Sequence, residues 1–273
     1  MTDAARMLHP SVAVAPDNPA DAHTGARPRW RTAPVDTHGL VLWIATFVVM
    51  TALVAGLGLL IVHELGGVRA FDDRVARWLA RHRTNTWDNL TWGGSFIADA
   101  DVKIPVTVIL CGVFIWRWRR WTEPALLAGA LALEVSIFTL SSFVVDRPRP
   151  PIAHLDPIPP TGAFPSGHSA AAVAFYGAIA IIVCWHTRNR IARTVAIGAA
   201  FVVPLVVGAS RMYRGMHHVS DVVVGLVIGL VSLGITWLVV RTGPASRLQP
   251  DRHAGHTGAD APVSSSTPSP ATS

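Results

Sequence analysis

The segment SRMYRGMHHVSDVVVG sets His217 and Asp221 four residues apart at the start of an apolar run. On a helix that spacing stacks two side chains on one face, one turn apart. A carboxylate hydrogen-bonded to one imidazole nitrogen fixes the tautomer and leaves the other nitrogen free to attack. The plain alternative is an interfacial histidine near an aspartate that the helix dipole favours. His218 points elsewhere on such a helix and reads as a bystander.

Two further segments carry residues of the same chemical kind. In PSGH, Ser166 and Gly167 open a second apolar run. The unpaired N–H groups at that helix start, with its positive end, suit an anion. Gly167 permits close approach of backbone to ligand, and His168 is placed to protonate a leaving oxygen. The same residues also read as an ordinary serine N-cap after a proline turn. In DRPRP the prolines hold the chain extended, so Arg147 and Arg149 point in opposite directions and one of them faces the site. A guanidinium fork matches phosphate oxygens in pairs. Arg147 and Arg214 read equally well as basic turn residues on lipid head groups. Together, two histidines, an aspartate, arginines and a helix N-terminus suit phosphoryl transfer, which needs mostly positioning and charge stabilisation and can proceed without metal.

The elements that must position these groups are membrane spans. The chain has 273 residues, of which 51% are apolar and only 15% charged, and its mean hydropathy is +0.40. A spanning helix needs about 20 mostly apolar residues. Six segments approach this, at 39–62, 101–116, 123–145, 169–185, 194–209 and 219–240, the second and fifth being the shortest. The expected fold is therefore all-α, a polytopic bundle of six transmembrane helices over 39–240. It is flanked by a disordered cytoplasmic segment at 1–38 and a disordered cytoplasmic tail at 241–273. The net charge of +6 reads as topology and lipid-head contacts, not nucleic-acid binding. Cys111 and Cys184 lie inside spans, which argues against a structural disulfide.

Arginines set the orientation. Arg27, Arg29 and Arg31 precede the first span, and Arg117, Arg119 and Arg120 join the second to the third. Arg188, Arg190 and Arg193 join the fourth to the fifth, while Arg241 and Arg247 follow the last. With six spans all fall on one side, which makes that side cytoplasmic and the three polar segments extracytoplasmic, in a multi-pass plasma-membrane protein. One outer segment, VRAFDDRVARWLARHRTNTWDNL, carries five arginines. Its apolar positions Val68, Phe71, Val75, Trp78 and Leu79 suit an amphipathic helix on the membrane surface.

The ordered set of motifs resembles the type 2 phosphatidic acid phosphatase superfamily, membrane lipid phosphatases related to vanadium haloperoxidases. Its three motifs read K-x6-R-P, P-S-G-H and S-R-x5-H-x3-D. The second is intact at Pro165-Ser166-Gly167-His168, and the third at Ser210-Arg211, His217 and Asp221. The first ends correctly at Arg149-Pro150, but its lysine position holds Ser142; aligned instead on Arg147-Pro148 it holds Leu140. Lys103, the only lysine in the chain, lies near the outer end of the second span and is a candidate replacement for that cation. A snorkelling anchor is the other reading of Lys103.

The resemblance implies a metal- and cofactor-free hydrolase acting on a lipid phosphate in the bilayer. His217, oriented by Asp221, would take the phosphoryl group as phosphohistidine, and His168 would protonate the leaving oxygen. Arg149, Arg211, Ser166 and Gly167, with Lys103, would hold the phosphate. Polyprenyl diphosphate, phosphatidylglycerol phosphate and phosphatidic acid all fit such a site. A phosphotransferase passing the group to an alcohol is the first rival, and a lipid-binding protein without turnover the second. Glu134, inside the third span, has no partner that the sequence identifies, and the oligomeric state leaves no mark in it.

Overall fold

A computed structural model describes residues 33–247 of the chain. The described residues are helical, with no strand among them. The expectations of disorder for 1–32 and 248–273 lie outside the described residues. Two helices reach into the segments expected to be tails, α1 from Thr37 and α8 to Thr242, and a short α9 follows at Pro244–Arg247.

Five helices are long and apolar enough to cross a membrane: α1 (Thr37–His63), α5 (Thr122–Val145), α6 (Gly167–His186), α7 (Arg190–Tyr213) and α8 (Val219–Thr242). The remaining segment expected to span forms α4 (Ala100–Trp118). Its 19 residues would reach about 28 Å at 1.5 Å each, close to the hydrocarbon thickness. Asp101, Lys103 and Arg117 put three charges within its 19 residues.

Local chemistry explains where the helices begin and end. Asp36 accepts the Gly39 N–H at 2.8 Å to start α1, and Asn189 Oδ1 accepts those of Ile191 and Ala192 to start α7. Helix α5 stops at Asp146, whose φ of 42° is left-handed, just before Pro148, Pro150 and Pro151. At the other end of the bundle, Arg120 and His186 both contact Glu123, and Trp118 stacks on His186 with ring centroids 3.7 Å apart. That cluster gathers the end of α4, the start of α5 and the end of α6 at the end of the bundle opposite His168 and His217.

Helix α6 forms the core. Its alanines and Gly177 are buried, and it packs against α5, α7 and α8. Small residues let these backbones approach closely. A Cβ at Gly225 would stand 2.3 Å from the Ser166 carbonyl oxygen, and one at Gly229 2.5 Å from that of Ala170. These two glycines seat the start of α8 against the start of α6. The bundle exterior is apolar, with Leu53, Phe143, Ile191 and Phe201 among many exposed large side chains, as lipid contact requires.

Between α1 and α4 lie α2 (Gly66–Arg81) and α3 (Asn85–Phe96). The expected amphipathic helix is present as α2, and a further face of it packs on the protein. Phe71 and Trp78 are exposed, while Asp72 and Ala76 are buried, with Val68 packed on the core beside them. Helix α3 was not anticipated as a separate element. It lies against α7, where a Cβ at Gly94 would stand 2.4 Å from Ser210 Oγ.

Candidate active site

Residues of α4, α5, the start of α6, the end of α7 and the loops beside them enclose a cavity of about 490 Å³. His168, His217, Arg149, Arg211, Gly167 and Lys103 all line it. These are six of the eight residues to which the sequence assigned chemistry; Ser166 and Asp221 lie behind the wall.

His217 sits in the turn between α7 and α8. Gly215, with φ at 79°, reverses the chain there in a conformation that favours glycine. The His217 ring is 4% exposed, and its Nδ1 lies 2.6 Å from the Ala163 carbonyl oxygen. A carbonyl only accepts, so Nδ1 carries the hydrogen and Nε2 keeps its lone pair. Burial holds the imidazole pKa well below its ordinary value, and the nearby charges of Arg211, Arg149 and His168 reinforce this against the Ala163 hydrogen bond. His217 is therefore neutral, the form that can attack.

The expectation that Asp221 orients His217 by a hydrogen bond is corrected. The nearest approach, Asp221 Oδ2 to His217 Nδ1, is 3.9 Å. Both carboxylate oxygens are already engaged. Oδ1 accepts from Arg147 Nη1 at 2.6 Å, while Oδ2 accepts the His218 N–H at 2.7 Å and contacts His218 Nδ1 at 3.1 Å. Asp221 and His218 thus form a capping box that starts α8. His218 is no bystander, being 5% exposed and part of this cap.

Arg147 and Arg149 diverge. Arg149 lines the cavity, held by the carbonyls of Met216 and Thr161. Arg147, 4% exposed, turns into the protein. There it bridges Asp221, Ser220 Oγ at 2.7 Å and Asp72 at 2.9 Å. Asp72 also accepts the Ser220 N–H at 3.2 Å, at the N-terminus of α8 where a negative charge is favoured. Arg214 likewise is buried rather than at the lipid heads, in a fork on Asp156 at 2.6 to 2.9 Å. Asp156 reaches on to Arg211 Nη1 at 2.9 Å, and Ser95 Oγ lies 2.7 Å from the same nitrogen.

These contacts leave specific atoms unused. Arg149 Nε and Arg211 Nε are buried without a hydrogen-bond partner. A buried unpaired N–H costs about 1–3 kcal/mol, so two guanidinium groups with such an atom on one cavity wall suit an oxyanion.

His168 Nε2 lies 2.8 Å from Asp99 Oδ1, at the N-cap of α4. That hydrogen bond, first among the causes, lowers the Asp99 pKa from its ordinary value. Ser166 departs from expectation: its hydroxyl caps α6, 3.5 Å from the Ser169 N–H and 3.0 Å from Ser169 Oγ. It supports the cavity wall from behind. Gly167 does line the cavity, and a Cβ there would meet the Phe138 ring at 3.1 Å.

Sequence reasoning missed Asp72, Asp99 and Asp156, the carboxylates that hold Arg147, His168 and Arg211. For Asp72 a signal existed, since it shares a helical stripe with Val68 and Ala76. The other two lie in loops outside every motif. Arg83, between α2 and α3, also braces the site loop, donating to the carbonyls of Tyr213 and Ala153.

A sequence model of the PAP2 superfamily matches residues 123–244. Phosphatidylglycerophosphatase B of Bacillus subtilis is 26% identical over 170 residues, covering 60% of this chain and 80% of the relative. The crystal structure of a transmembrane PAP2-type phosphatidylglycerolphosphate phosphatase from Bacillus subtilis superposes with a TM-score of 0.58 at 22% identity. That match covers 74% of this chain and 93% of the other, and it shows a shared fold. Aquifex aeolicus LpxE matches with a TM-score of 0.46 at 23% identity, over 61% of this chain and 94% of its own.

Proposed function

Through residues 123–244 the chain belongs to the PAP2 superfamily, and from that premise we propose that it is an integral-membrane lipid phosphatase working through a phosphohistidine. His217 Nε2 attacks phosphorus, forming an N–P bond as the bond to the lipid oxygen breaks. His168, held at Nε2 by Asp99, gives a proton to that oxygen from Nδ1, since Nε2 faces the carboxylate. Water then attacks phosphorus, its proton passes to His168, and the N–P bond breaks to release phosphate. Arg149, Arg211, Lys103 and the Gly167 N–H meet the charge on the non-bridging oxygens.

One observation carries this reading. A neutral histidine with a free Nε2 shares a cavity with two guanidinium groups, each with an unpartnered buried Nε.

The protein is a multi-pass membrane protein with several apolar helices. We read α4 as the sixth span and the cavity as extracytoplasmic, because the arginines between spans gather at the opposite end of the bundle. The activities for which the Bacillus relatives are named favour phosphatidylglycerol phosphate as substrate over phosphatidic acid or polyprenyl diphosphate. The test is phosphate release from these three lipids by purified protein, with chelator present. Release is expected from the wild type and none from His217→Ala. Wild-type release by that variant would refute the proposal.

A further inference from the structure

Arg149 and Arg211 share the cavity wall but are held in different ways. Arg149 donates to the backbone carbonyls of Met216 and Thr161. Arg211 is held by two side chains from outside its own helix. Ser95 Oγ, on α3, lies 2.7 Å from Arg211 Nη1, and Asp156 Oδ2, in the loop between α5 and α6, lies 2.9 Å from the same nitrogen. Neither residue lines the cavity.

A guanidinium carries two N–H groups on each terminal nitrogen and one on Nε. Two acceptors at Nη1 therefore use up that nitrogen and leave the edge made by Nη2 and Nε. Arg211 Nε is buried and has no hydrogen-bond partner among the described residues. That edge offers two parallel N–H groups, which match two oxygens of one phosphate. A guanidinium free to turn about its stem would present the edge only part of the time.

Both holders are themselves fixed. Gly94 lacks the Cβ that would strike Ser210 Oγ, so α3 comes close enough to α7 for Ser95 to reach the guanidinium. Asp156 is clamped by Arg214, whose Nε and Nη2 donate to its oxygens at 2.6 to 2.9 Å. Arg214 is anchored in turn on the carbonyls of Asp88 and Leu155. A carboxylate beside a phosphate site repels the substrate, so Asp156 alone would weaken the site that Arg211 builds. Arg214 offsets that charge and keeps the trio net positive. What Asp156 contributes is direction.

Resting on the phosphatase reading above, we infer that Ser95 and Asp156 are positioning residues for phosphoryl transfer, fixing Arg211 Nη1 so that the Nε–Nη2 edge meets the non-bridging oxygens of the transferring group. Both act through Arg211, so the effect falls on kcat more than on KM. The test measures kcat and KM for phosphatidylglycerol phosphate with purified wild type, Ser95→Ala, Asp156→Asn, Arg211→Gln and each holder variant combined with Arg211→Gln. Asp156→Asn is expected to lower kcat by about tenfold or more with little change in KM, because a misplacement of about 1 Å can cost about a hundredfold. Ser95→Ala, which leaves the carboxylate in place, should lower kcat by about three- to tenfold, the worth of one neutral hydrogen bond. In the Arg211→Gln background each holder substitution should change kcat by about twofold or less, since no guanidinium is left to point. A holder that only supported the fold would slow both backgrounds alike. If Arg211→Gln releases too little phosphate to measure, orthovanadate binding by calorimetry replaces kcat in the same comparison. If Asp156→Asn is not recovered folded, Ser95→Ala decides. Wild-type kcat in the recovered holder variants, or the same fold-loss with and without Arg211, would overturn the inference and leave the phosphatase reading intact. No phosphate release by the wild type would overturn both.

Discussion

Asp72 offers the sharpest test of how the fold holds the site, because it lies outside every motif and outside the cavity. Its carboxylate is 1% exposed, 2.9 Å from Arg147 Nη2, and accepts the Ser220 N–H at the start of α8. Asp72→Ala leaves Arg147 buried with one carboxylate instead of two and strips that N–H of its acceptor. Breaking a buried ion pair by removing one partner costs about 3–5 kcal/mol. Asp221 still pairs with Arg147 at 2.6 Å, so the lower end applies, about 3 kcal/mol. For a domain of this size that corresponds to a fall in Tm of about 6–12 °C. The assay is thermal unfolding in detergent of the wild type, Asp72→Ala, Arg147→Met and the double variant. The single losses should not add, because removing both charges avoids stranding either; the coupling should be about 1–3 kcal/mol. An unchanged Tm for Asp72→Ala, or strictly additive losses, would refute the claim that this pair anchors α2 to the start of α8.

Two further predictions concern the chemistry. Because burial and nearby cations depress the His217 pKa, the unprotonated nucleophile persists as pH falls through the ordinary imidazole value of about 6.5. The acid limb of kcat/KM, which reports the free enzyme, should therefore lie below that value. Arg211→Gln removes one of the depressing charges and should move the limb to higher pH; a limb that stays put or moves lower contradicts the assignment. Asp99→Asn keeps the shape beside His168 but loses the charge. Since Asp99 is partly exposed, kcat for a lipid phosphate should fall by only about tenfold. The defect should shrink with a p-nitrophenyl leaving group, which needs no proton; equal losses on both substrates would mean that Asp99 does not act through His168.

What the sequence made legible follows from locality. His168, His217, Arg149 and Arg211 were readable because each belongs to a short motif whose spacing carries its chemistry. The divergence of Arg147 from Arg149 was readable too, because prolines fix the backbone between them. Asp221 was recognised but given the wrong contact. The sequence shows a histidine four residues before it, and does not show that Arg147 and His218 take both its oxygens. Its place as N3 of a capping box was available in the His-x-x-Asp spacing and competes directly with the orienting role. Asp72, Asp99 and Asp156 were invisible as partners because each contact closes over a long sequence separation. Helix α4 was legible as an element although three charges interrupt it, one of which, Lys103, lines the cavity. Glu134, unexplained in sequence, lies on that same cavity.

The central claim is that His217 carries the phosphoryl group. The most direct measurement is rapid quenching of the wild type in alkali during turnover of a lipid labelled in its terminal phosphate, followed by mapping of the labelled residue. An acid-labile, alkali-stable label on His217, absent from His217→Ala and discharged by water as free phosphate, is the predicted result. Turnover with no labelled protein at any quench time, or a label on His168 or His218 instead, would contradict it.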